Sequence, residues 1–241
     1  MPGPVALVGS GEYLPVMRPI DEALLEGRSS KVILLPTAAG QEGDDRVSYW
    51  LELGVAHFLE MGMDPVPLRV LTREDAELPD VVAEVAGAGL IYLSGGSPAY
   101  LSTTLRDTPL WKAITDAHAT GAALAGCSAG ACALTAISGG FRNPGQPAEP
   151  GLSVIPHLAV IPHFDRFDAR SPGLVGTLLE RTGPDLTLVG IDEETALVGG
   201  PEHFEVMGRQ AAWWLSPDEE RTRYGAGTKL RLSPGGTPEV L

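Results

Sequence analysis

The sequence predicts an α/β domain with a doubly wound, mostly parallel sheet flanked by helices. Two observations carry that prediction. Short apolar runs rich in Val, Ile and Leu recur along all but the last part of the chain, and each ends in small residues. Segments of helical periodicity lie between them. Continuous rather than alternating apolar runs suit strands buried on both faces of a parallel sheet. Strands that alternate with helices imply βαβ crossovers.

The expected strands lie at 5–8, 32–35, 66–71, 90–93, 122–125, 158–161 and 186–191. The expected helices lie at 16–26, 47–61, 79–86, 99–106, 110–119, 129–137 and 174–181. Residues 139–151, GGFRNPGQPAEPG, hold four Gly and three Pro and read as a loop that could border the site. From about His203 the chain turns into short strands at 203–207, 211–215 and 229–232. These are expected to add antiparallel strands at the edge of the sheet. The 241 residues suit a single domain, 1–241, able to bury a real core.

Composition narrows the function. Asp and Glu total 31 against 17 Lys and Arg, a net charge of -14. Such a chain repels nucleic acid and anionic membrane surfaces, so neither is an expected partner. Cys127 and Cys132 are the only two cysteines and do not form a C-x-x-C pair. That usage fits a reducing compartment. The start of the chain has no basic, then apolar, leader pattern, and no apolar run approaches a membrane span. The expected location is the cytoplasm.

The chemistry centres on Gly126-Cys127-Ser128-Ala129-Gly130-Ala131, between an expected strand and an expected helix. That is the setting of a G-x-S-x-G nucleophile elbow, where small neighbours let the backbone fold closely on itself. The helix that follows turns its first amides towards Ser128, and the Ala129 amide is placed to donate to an oxyanion. Cys127 is a rival nucleophile, but Gly on both sides frames Ser128. Leu93-Ser94-Gly95-Gly96-Ser97 is a second strand-to-helix turn, and the Gly95 and Gly96 amides could complete an oxyanion hole with Ala129.

A serine needs a base. Of five histidines, His57 and His118 fall in helical patterns and read as surface or groove residues, and His203 opens a late strand. His157 starts the strand expected at 158–161, and His163 follows its end. Sites in open α/β sheets form beyond the carboxyl ends of strands, which favours His163. An orienting acid is available in Asp192-Glu193-Glu194 after the strand at 186–191, and the residues alone leave all three open. No H-E-x-x-H, P-loop or G-x-G-x-x-G motif is present, so neither metal nor cofactor is expected.

In their order and spacing, Gly95-Gly96, Gly126-Cys127-Ser128-Ala129-Gly130-Ala131, Pro162-His163-Phe164 and Gly190-Ile191-Asp192-Glu193 resemble peptidase family S51. That family includes aspartyl dipeptidase (peptidase E) and cyanophycinase. The resemblance implies a class I glutamine amidotransferase-like fold and a serine peptidase that needs no metal or cofactor. It implies a triad of Ser128, His163 and Glu193 and a small aspartyl peptide as substrate. A homodimer is a further expectation. One departure stands out. After Gly-Gly the family usually has Asp or Asn followed by Gln or Thr, which shape the substrate pocket, whereas this chain has Ser97-Pro98. Arg166 and Arg170 remain to bind a substrate carboxylate. Two other readings stand beside the dipeptidase. One is a cyanophycinase-like isopeptidase, and the other is a catalytically silent ligand-binding domain.

Overall fold

The computed structural model describes residues 1–139, 148–170, 174–183, 185–216, 218 and 220–241. In the first half of the chain, β1 (Val5–Val8), α1 (Arg18–Leu25), β2 (Lys31–Leu35), α2 (Asp44–Glu60) and β3 (Asp64–Pro67) follow one another. They lead into α3 (Pro79–Ala83), β4 (Leu90–Leu93), α4 (Pro98–Leu105), α5 (Pro109–Ala119), β5 (Ala123–Cys127) and α6 (Ala129–Leu134). A short hairpin of β6 (Ile137–Gly139) and β7 (Glu149–Pro150) precedes β8 (Leu158–Pro162), α7 (Phe164–Arg170), α8 (Leu174–Thr182) and β9 (Thr187–Ile191). The chain ends in strands β10 (Thr195–Gly199), β11 (His203–Gly208), β12 (Ala211–Leu215), β13 (Arg221–Gly225), β14 (Lys229–Arg231) and β15 (Glu239–Val240).

The main sheet runs β15-β14-β11-β10-β1-β5-β4-β2-β3. Its half from β1 to β3 is parallel, and β10, β11, β14 and β15 extend it antiparallel. Alternation within the buried strands divides the core into two layers. Val5, Leu7, Ile33, Leu35, Ile91, Leu93 and Leu124 pack against Leu101 and Leu105 of α4 and Leu110 and Ile114 of α5. Ala6, Val8, Val32, Leu34, Leu90, Tyr92 and Ala125 pack on the other face, against Ile20 and Leu24 of α1 and Phe58 of α2. Because both faces are covered, these strands lack the polar alternation of a half-exposed sheet.

The structure corrects three expectations. The runs at 158–161 and 186–191 do form parallel strands, β8 and β9, but in a separate sheet of order β13-β12-β9-β8. Leu158, Val160, Val189 and Ile191 from one face of that sheet join the main core. Ala159, Ile161 and Leu188 from the other pack with Phe164 of α7 and with Val175 and Leu178 of α8. Second, α6 stops at Leu134, and Ile137 begins a strand. Third, the strand expected at 66–71 occupies Asp64–Pro67, an edge position that tolerates Pro65 and Pro67. Within the expected loop at 139–151, residues 140–147 lie outside the described residues. Among the described residues no helix is long and apolar enough to cross a membrane.

The elbow depends on a close backbone crossing. A Cβ on Gly126 would lie 2.4 Å from the Gly130 carbonyl carbon, and one on Gly130 would lie 2.3 Å from the Leu93 carbonyl oxygen. Neither neighbour is a side-chain end that can swing away. Gly126→Ala is therefore expected to cost about 1–3 kcal/mol of stability, as overpacking does. Urea unfolding of wild type and variant measures it, and equal midpoints would show that the crossing relaxes.

Candidate active site

Ser128 follows β5 directly, at the head of α6, with φ 50° and ψ -103°. Positive φ is costly for a residue with a Cβ, on the order of 1–3 kcal/mol, and persists only where the surroundings enforce it. Here its amide donates to the Val8 carbonyl at 2.9 Å, and the glycines on both sides admit the turn. His163 follows β8 and also has positive φ, 51°. Its carbonyl caps the first turn of α7 by accepting from the Arg166 and Phe167 amides at 2.9 and 2.8 Å.

The two side chains meet across the sheets. His163 Nε2 lies 3.0 Å from Ser128 Oγ, and His163 Nδ1 lies 2.9 Å from Glu193 Oε1. A carboxylate is an acceptor only, so Nδ1 carries the proton and Nε2 is left to accept from the serine hydroxyl. The His163 and Glu193 side chains are 36 % and 31 % exposed, so a small molecule can approach from solvent.

Glu193 sits in the turn after β9. Its amide donates to Asp165 Oδ1 at 3.0 Å, and its carbonyl accepts from Gln210 Nε2 at 2.9 Å and Thr195 Oγ1 at 3.1 Å. The other two acids of the turn face elsewhere. Asp192 is 3 % exposed and accepts the Trp213 indole N–H at 2.9 Å, and burial raises its carboxyl above the usual range. Glu194 takes positive φ and pairs with Arg209 at 2.8 Å. Of the three acids, Glu193 is the one whose carboxylate lies against the His163 ring.

The neighbouring candidates divide. Ala129 begins α6 beside Ser128, and Gly96 takes φ 140° with the Ala38 carbonyl carbon 2.4 Å from where a Cβ would stand. Gly95 departs from its expected oxyanion role, because its amide donates to Glu12 Oε1 at 3.1 Å. Ser97 caps α4 by accepting the Tyr100 amide at 3.3 Å. Arg166 is 63 % exposed, with its Nε 3.4 Å from Glu193 Oε2 and 3.6 Å from Asp165 Oδ2, so it is paired rather than free. Arg170 lies in α7, but its side chain falls outside the described residues. Among the described residues no group of three or more His, Cys, Asp or Glu is placed to hold a metal ion.

One histidine differs from its expected surroundings, and His157 stands where it was expected. His57 is buried, with its Nε2 2.8 Å from Asp21 Oδ2, rather than lying on a surface. His157 is buried beneath the opposite end of β8 from His163. Glu12 and Asp165 were missed altogether. A carboxylate just after Gly-Ser-Gly reads as part of a solvated loop, so the sequence carries no signal for Glu12.

Cys127 is fully buried and donates its thiol to Glu12 Oε2 at 2.7 Å. Burial pushes that thiol well above its ordinary pKa, and the Glu12 charge adds to the rise. A protonated, buried thiol is a poor nucleophile. Iodoacetamide is accordingly expected to leave Cys127 unmodified in the folded protein and to alkylate it in denaturant. Peptide mass spectrometry reads both states, and rapid labelling of the folded form would contradict the burial argument.

Comparison with known proteins places the chain. No curated protein sequence matches it. A peptidase from an acI-B1 Actinobacterium is 38 % identical, with 96 % of this chain and 98 % of that one covered and a TM-score of 0.86. A candidate peptidase E from Listeria monocytogenes EGD-e shares the fold at 16 % identity, with 87 % and 100 % covered and a TM-score of 0.61. The model of peptidase family S51 matches residues 5–207. The chain belongs to peptidase family S51.

Proposed function

We propose that this chain is a serine exopeptidase of the aspartyl dipeptidase type, acting through Ser128, His163 and Glu193. One observation carries the reading: the unbroken hydrogen-bonded series from Ser128 Oγ through the His163 ring to Glu193, at 3.0 and 2.9 Å, on a strained elbow. Ser128 Oγ attacks the peptide carbonyl while its proton passes to His163 Nε2. Glu193 balances the imidazolium that forms, and the Ala129 and Gly96 amides face the developing oxyanion. His163 then returns the proton to the leaving amine, the C–N bond breaks, and an acyl-enzyme remains. Water repeats the sequence: its proton goes to His163, its oxygen joins the acyl carbon, the ester bond to Ser128 Oγ breaks, and His163 returns the proton to Oγ.

The aspartyl preference rests on the family resemblance. Arg166, beside the base, is the residue proposed to meet a substrate carboxylate, and Ser97 to line the pocket. The reduced thiols and the acidic composition fit a cytoplasmic enzyme. A panel of chromogenic Asp-X and other dipeptides, with an aspartyl isopeptide, tests the reading. Cleavage after an N-terminal Asp supports it. Cleavage of the isopeptide alone selects the isopeptidase reading, and no cleavage of any member selects a silent domain.

A further inference from the structure

The turn that leaves β1 is bonded to both sides of the site. The Gly9 amide donates to the Thr195 carbonyl at 2.8 Å, and the Ser10 carbonyl accepts from the Glu194 amide at 3.1 Å. Those bonds tie the turn to the acid side. Two residues further on, Glu12 reaches the opposite side. It is 5 % exposed, and its two oxygens have different partners. Oε1 accepts the Gly95 amide at 3.1 Å, and Oε2 accepts the Cys127 thiol at 2.7 Å.

A carboxylate held out of water in this way disfavours folding unless its oxygens are hydrogen-bonded, and an apolar residue of the same size would fill the space at less cost. Packing alone therefore does not account for a glutamate here. Its two donors supply the missing reason. One belongs to the Gly95–Gly96 turn after β4, and the other to the residue just before Ser128. These are the two loops between which a substrate carbonyl has to sit. They are also in close reach of one another, since a Cβ on Gly95 would lie 3.7 Å from Ser128 Cβ and 3.1 Å from Glu12 Oε1. From behind, the turn rests on the Ala38 backbone, whose carbonyl accepts the Ser97 amide at 2.8 Å.

We infer that Glu12 is a positioning residue for acyl transfer, clamping the Gly95–Gly96 turn to the Ser128 elbow so that the Gly96 and Ala129 amides keep a fixed spacing around the oxyanion. The inference rests on the serine peptidase reading. Oxyanion donors act through preorganisation, so a turn left free to shift loses most of their effect. Glu12 touches neither the base nor the acid, so its loss leaves the Ser128–His163–Glu193 series intact.

The test compares wild type, Glu12→Leu and Glu12→Gln in labelling of Ser128 by a fluorophosphonate and in hydrolysis of whichever panel dipeptide wild type cleaves. Rates are expressed per folded molecule. Glu12→Leu removes both hydrogen bonds and is expected to lower kcat and the labelling rate on the order of 10²-fold, as loss of an oxyanion donor does. Its KM is expected to stay within about threefold, and its rate–pH profile to keep the wild-type midpoint. Glu12→Gln keeps an acceptor for Gly95 and is expected to fall only about three- to tenfold. A merely structural role would lower the unfolding midpoint and leave kcat per folded molecule unchanged, which overturns the inference. If Glu12→Leu does not fold, Glu12→Gln decides alone, since wild-type kcat in that variant overturns it. A wild type that is neither labelled at Ser128 nor active on the panel overturns the serine peptidase reading and this inference together. A reactive wild type beside equally reactive Glu12 variants overturns this inference only.

Discussion

Alanine at Ser128 is expected to lower peptide hydrolysis by on the order of 10⁴ to 10⁶, while the protein keeps its fold and its thermal midpoint. The magnitude follows from what the substitution removes. Without Oγ no acyl-enzyme forms, and His163 loses the hydroxyl that lies 3.0 Å from its Nε2. The elbow itself survives, because the hydrogen bond that holds it runs from the backbone amide of residue 128 to Val8. Alanine also relieves nothing at positive φ, since it keeps the Cβ that makes that conformation costly. Cys127→Ala is the control for the neighbouring nucleophile. Its thiol faces Glu12 rather than the open site, so a loss of only a few fold is expected. The measurement is kcat/KM of both variants on one substrate. An inactive Cys127→Ala beside an active Ser128→Ala would transfer the nucleophile to the thiol.

The second large effect is expected at Glu193. Glu193→Gln keeps size and shape but removes the charge opposite His163 Nδ1, 2.9 Å away. An amide in that place either donates to the ring and fixes the wrong tautomer, or accepts from it without balancing an imidazolium. A fall in kcat/KM of about 10² to 10⁴ is expected, the upper figure being that of the corresponding change in a serine protease triad. The two neighbours are the comparison. Asp192→Asn keeps an acceptor for the Trp213 indole, and because burial already disfavours ionisation of Asp192, a neutral amide there costs little. Glu194→Gln loses a pair with Arg209, whose side chain is 69 % exposed, and such pairs contribute little. Losses below about tenfold are expected for both. A normal rate for Glu193→Gln beside a crippled neighbour would reassign the orienting acid.

Strands β1, β2, β4 and β5 were legible because each is buried on both faces and so leaves a continuous apolar run. Gly126, Ser128 and Gly130 were legible because a close backbone crossing tolerates no other residue at the glycines. Four things were not. Membership of β8 and β9 in a second sheet left no trace, since a parallel strand reads the same in whichever sheet it pairs. Strand β13, RTRYG, lies at the edge of that sheet with three exposed residues, so it carries no apolar period. The orienting acid could not be chosen by strand alternation, because Asp192, Glu193 and Glu194 lie in a turn where side chains no longer alternate. Glu12 escaped because a charged residue after Gly-Ser-Gly reads as a solvated loop, and only the fold shows that it is buried.

The separation of the two sheets has a consequence for how activity fails. Ser128 follows a strand of the nine-stranded sheet, whereas His163 and Glu193 follow strands of the four-stranded one. The Ser128–His163 hydrogen bond thus joins side chains carried by two different sheets rather than by one. Proteins open locally at free energies below that of global unfolding, and the unit with less of the core opens first. Heat or denaturant that loosens the smaller sheet pulls the imidazole from the serine while β1, β5 and β4 still hold the elbow. On the proposed chemistry, catalysis is lost before most of the secondary structure, and the inactivation midpoint is set by the weaker of the two sheets rather than by the sheet that bears the nucleophile.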